Sequence, residues 1–76
     1  MRHELDSAVT LMQAGGVTYE AAVHAFKRLY IIKILNRHRG IQTKAALEMG
    51  VHRNTLRRMM AELHISLREE TEGEAA

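Results

Sequence analysis

The strongest constraint on the fold lies between Gln42 and His64, where two short helical registers of apolar residues are broken by one glycine. The stretch reads QTKAALEMGVHRNTLRRMMAEL. Two helices that cross at a wide angle need small side chains where they meet, and Ala45 and Ala46 supply them. The turn that follows needs a residue tolerant of positive φ, and Gly50 stands four positions after Ala46. The second helix then turns Val51, Leu56, Met59, Met60 and Leu63 toward the first, with Leu47 and Met49 expected to answer from it. His52, Arg53, Asn54, Thr55, Arg57, Arg58 and Ala61 are left facing outward. An arginine-rich helix face by itself is commonly just a solvated one. The small pair, the glycine, the apolar offsets and the basic face together specify a helix-turn-helix. Arginine, amide and hydroxyl groups are also the types that read base edges and grip phosphates.

The rest of the chain reads as helix too, so the expected class is all-α with four helices. Proline and cysteine are absent and Ala, Leu, Ile, Met, Glu and Arg dominate, which leaves little to build a sheet from. A first helix is expected over about 3–14, ended by Gly15 and Gly16. Thr18 is a suitable N-cap for a second helix reaching about His38 and stopped by Gly40. Two short helices follow, over about 42–49 and 53–63. With 76 residues the chain holds one domain, here residues 1–68, and an acidic disordered tail over 69–76.

The second helix is anomalous. Val23, Phe26, Tyr30 and Ile34 form one apolar stripe, while Ala25, Leu29 and Ile32 form another, with Ile31 and Leu35 between them. A helix apolar nearly all round must be buried nearly all round, and so short a chain has too little material to do this alone. A homodimer through residues 1–38 is therefore expected, with Leu5, Val9 and Met12 of the first helix and Ala25, Leu29 and Ile32 of the second at its interface. The alternative is a monomer whose first helix covers that side.

Charge is distributed unevenly. Residues 21–68 carry ten Lys or Arg against Glu48 and Glu62, whereas residues 69–76 carry four Glu and no cation. A basic body suits a polyanionic partner, and Lys33, Arg37 and Arg39 are expected to add salt-sensitive phosphate contacts. The five histidines show no metal-ligand spacing and no cysteine joins them, so neither metal nor cofactor is expected. No nucleophile–base pair, carboxylate pair or glycine-rich phosphate loop is present, so the chain reads as a non-enzyme. With no apolar run long enough to span a bilayer and no signal peptide, it reads as cytoplasmic.

The stretch FKRLYIIKILNRHRGIQTKAALEMGVHRNTLRRMMAELHI resembles the Fis-type DNA-binding domain, over about residues 22–65. That domain occurs as the small nucleoid protein Fis and at the C-terminus of bacterial NtrC-class and RegA/PrrA-class regulators. RGIQTKAAL and MGVHRNTLRRMM carry the resemblance, and His52-Arg53 is more similar to the RegA/PrrA group than to Fis. The resemblance implies dimerisation through the first two helices and a recognition helix from each subunit in the DNA major groove. It also implies that Arg53 reads a base, with His52, Asn54 and Thr55 nearby. Thr43, Lys44, Arg57 and Arg58 would then contact backbone or flanking bases. The family usually has Asn after the entry glycine; Ile41 stands here, so capping of the third helix is expected to fall to Gln42 or Thr43. The expected function is sequence-preferring binding of double-stranded DNA by a homodimer, in transcriptional regulation or DNA architecture near the nucleoid. A larger regulator is a further partner if the chain is an excised domain. The alternative from another class is a helical adaptor that grips an acidic protein.

Overall fold

A computed structural model describes residues 1–66. The expected tail at 69–76 lies outside the described residues. Helix α1 spans Arg2–Ala14, α2 Tyr19–Arg37, α3 Gln42–Met49 and α4 Arg53–Glu62, so the all-α expectation holds with boundaries within about a residue. Thr18 caps α2 as expected, its hydroxyl accepting from the Ala21 N–H at 3.2 Å.

The core forms where α2, α3 and α4 meet. Ile31, Ile34 and Leu35 from α2, Ala45 and Ala46 from α3, and Leu56 and Met60 from α4 are buried together with Leu63 and Ile65. Ala45 is completely buried, so the alanine pair does let the neighbouring helices approach closely. Gly50 sits at φ 77°, the left-handed turn that ends α3, and the Val51 N–H closes it by donating to the Ala46 carbonyl at 3.0 Å. A Cβ built on Gly50 meets nothing within 4 Å, so its requirement for glycine is one of backbone conformation, not space.

Three sequence expectations are corrected. Leu47, expected in the core, is 81% exposed: Ala45, Ala46 and Met49 face the neighbouring helices, and Leu47 lies about 200° around the axis from Ala45. Ile41 occupies the N-cap position of α3 with no side-chain cap, so neither Gln42 nor Thr43 takes the role. Thr55, expected outward, is half-buried because it shares a side of α4 with Met59. α2 ends where expected, with His38 as its cap, and Gly40 closes it at φ 80° after Arg39, which also takes the left-handed conformation, at φ 55°.

The stripes of α2 also divide differently. Its C-terminal part supplies the buried Ile31, Ile34 and Leu35, but Phe26, Leu29 and Tyr30 are 59%, 55% and 47% exposed. Phe26 and Tyr30 lie with ring centroids 5.6 Å apart, a contact within the helix that hides neither from solvent. α1 contributes no buried residue, and it leaves Leu5, Val9 and Leu11 exposed. In the single chain, α1 therefore leaves the second face of α2 largely uncovered.

Candidate nucleic-acid interface

α4 is amphipathic by strict division. Leu56 and Met60 enter the core, while Arg53, Asn54, Arg57 and Arg58 are exposed on the other side. The helix is anchored at both ends. At its start the His52 ring accepts the Asn54 N–H through Nδ1 at 3.0 Å. A backbone N–H always donates, so Nδ1 carries no proton in this cap; Nε2 is left as the donor edge of the ring.

At the far end of α4, Arg28 reaches across from α2. Its Nε donates to the Leu63 carbonyl at 3.1 Å and its Nη2 to the His64 carbonyl at 3.3 Å. Those carbonyls belong to the turn that closes the helix, where the Ile65 N–H donates to the Met60 carbonyl at 2.9 Å and His64 stands at φ 56°. A cation on the C-terminal carbonyls also matches the negative end of the helix dipole. Sequence reasoning missed this anchor. Its two partners lie 35 and 36 positions away, and a basic residue on α2 carries no local sign of its target.

Beside α4, the N-terminus of α3 opens into a polar groove of about 480 Å³ lined by Gly40, Ile41, Gln42, Thr43, Arg53 and Arg57. With no side-chain cap, the first backbone N–H groups of α3 are left for solvent or ligand. They lie near two guanidinium groups, a combination of donors and positive potential that suits phosphate oxygens. Thr43 and Lys44 are exposed in the first turn of α3. The structure thus brings Thr43, Arg53 and Arg57 to one groove. His52, Asn54 and Arg58 are exposed elsewhere on or beside the α4 surface.

Of the three cations expected outside the motif, Lys33 and Arg39 are exposed, but Arg37 is engaged, its Nη2 lying 2.9 Å from Glu48 Oε2. His38 meets the same carboxylate at 2.6 Å. Among the described residues, no group of three or more His, Cys, Asp or Glu gathers as a metal site, and no helix is long and apolar enough to cross a membrane.

An arginine-faced helix, capped at its start and set on a small-sided helix across a left-handed glycine, is a helix-turn-helix in geometry as well as pattern. The Fis family of bacterial regulatory proteins matches residues 26–63, half of the chain. The chain belongs to that family. No curated protein and no solved structure gives a significant match. The Fis-family match begins at Phe26 and ends at Leu63, so it takes in the C-terminal part of α2, both α3 and α4, and one of the two carbonyls that Arg28 holds. Fis-family domains of this kind are DNA-binding regulatory domains.

Proposed function

We propose that the protein works as a homodimer that binds double-stranded DNA with sequence preference, acting in transcriptional regulation or DNA architecture at the nucleoid. The observation that carries this reading is the division of α4: one side is locked into the core through Leu56 and Met60, and the other presents Arg53, Asn54, Arg57 and Arg58 to solvent. A helix held rigidly from behind while its outer face is charged can enter a major groove without rearranging. Arg53, at the first position of α4, is the base-reading residue, with His52, Asn54 and Thr55 beside it. Thr43, Lys44, Arg57 and Arg58 hold the phosphate backbone.

The dimer is supported by the uncovered apolar surface of the first two helices. Leu5, Val9, Ala25 and Leu29 are exposed, and Met12 and Ile32 half-buried, so all six expected interface residues keep area for a second copy to bury. Burying apolar area is worth about 25 cal/mol per Å², which makes such a surface costly to leave in water.

Random-site selection on the purified protein, run with a solution mass, tests both parts. The expected result is a pseudo-palindromic consensus bound by a dimer. On the selected duplex, Arg53→Ala weakens specific binding by about 1–3 kcal/mol with little effect on a scrambled duplex, whereas Arg58→Ala weakens both alike and flattens the salt dependence. Equal losses on both duplexes for Arg53→Ala would remove its base-reading role. Failure to retain any duplex at physiological salt would favour an adaptor for an acidic protein instead.

A further inference from the structure

Between residues 21 and 61 the chain carries nine Lys or Arg and a single carboxylate, Glu48. An acid in the middle of a basic body lowers attraction for a polyanion. Its two oxygens are both engaged: Oε2 lies 2.9 Å from Arg37 Nη2, and Oε1 lies 2.6 Å from His38 Nε2. The partners stand on opposite sides of the turn between α2 and α3. Arg37 is the last residue of α2, His38 is its cap, and Glu48 lies near the end of α3.

Between them Arg39 and Gly40 both take left-handed conformations, at φ 55° and 80°. A turn built this way has to be held, because a non-glycine residue at positive φ is a strained choice. One carboxylate bridging two successive residues opposes rotation of the turn in either direction. Nor is the pair fully in solvent, with side-chain exposures of 25% for His38 and 38% for Glu48.

We propose that Glu48 is a positioning residue that latches the angle between α2 and α3, and with it the separation of the two recognition helices. This rests on the dimeric DNA-binding reading above. In a dimer joined through α1 and α2, that angle sets where each α4 meets DNA, and half-site spacing follows from it. The same contact withholds Arg37 from the phosphate backbone.

The two roles give Glu48→Gln effects of opposite sign. Affinity for a scrambled duplex rises about two- to fivefold, since a negative charge is lost and Arg37 is released. The salt dependence steepens by about one unit of slope, one more phosphate being contacted. Preference for the selected half-site spacing over versions longer or shorter by one base pair falls by about two- to fivefold, the scale of a partly exposed ion-pair network. A purely structural residue would lower every affinity together.

The test uses the full chain, the duplex recovered by random-site selection on the wild type, its two spacing variants and a scrambled duplex, with thermal melting to verify folding. Arg37→Gln opens the latch from the α2 side and loses spacing preference without gaining scrambled-duplex affinity. Exchanging the charges, Arg37→Glu with Glu48→Arg, rebuilds the position-37 arm of the latch and restores part of the spacing preference. Wild-type spacing preference in Glu48→Gln, or a proportionate loss on all duplexes, overturns the latch. If the wild type itself binds no duplex, the DNA-binding reading fails first and the latch falls with it.

Discussion

The two halves of the molecule solve the burial problem differently. From Ile31 onward, three short segments enclose a core of nine buried residues, and each helix C-terminus there is closed by a backbone hydrogen bond. Before Ile31, α1 buries nothing and α2 shows Phe26, Leu29 and Tyr30 to solvent. Both halves are apolar, yet only one is closed. The helix-turn-helix folds its three pieces onto one another through a small-residue crossing, whereas two helices joined by a glycine turn expose whatever they do not bury between themselves. Thus the same chain contains a unit stabilised by its own packing and an apolar surface left open, for which a second copy is the proposed occupant.

That contrast is breakable at defined positions. The largest effect belongs to the closed half: Leu56→Ala empties a completely buried site and lowers stability by about 2–5 kcal/mol in chemical denaturation. It also removes the backing of α4, so DNA affinity falls in step. In the open half, Leu29→Asp is expected to leave the helix-turn-helix folded. Self-association should weaken by about 1.5–3 kcal/mol for each copy, the value of burying one leucine, and sedimentation would show a monomer. A dimer of unchanged mass would place the interface elsewhere. A smaller change sharpens the comparison from within the closed half. Gly50→Ala adds no clash but forces alanine to φ 77°, costing about 1 kcal/mol, with helix content unchanged by circular dichroism.

Much of the closed half was legible from residue types and offsets. Ala45 and Ala46, Gly50, and the apolar positions of α4 each obey a local rule, and the structure puts them where the rule says. Leu47 shows the limit. It is apolar and lies within a short helix, but eight residues are too few for periodicity to tell a core-facing leucine from an outward one. The arginines of α4 were readable as an outward face; that Arg53, Arg57 and Thr43 share one groove was not, because α3 and α4 meet only through the fold.

What the residues alone determined is the helical class, the caps at Thr18 and Gly50, and the basic character of α4, since these depend on neighbours within a turn or two. Tertiary structure decided which side of each short helix is covered, that Arg28 would hold the end of α4 from 35 residues away, and that Glu48 would bind Arg37 and His38 across a turn. Those pairings join groups far apart in the chain, and such a contact exists only after the backbone has closed the distance. His52 lies on the border between the two: its place before α4 is written in the sequence, but only the folded chain shows its ring as the cap of that helix.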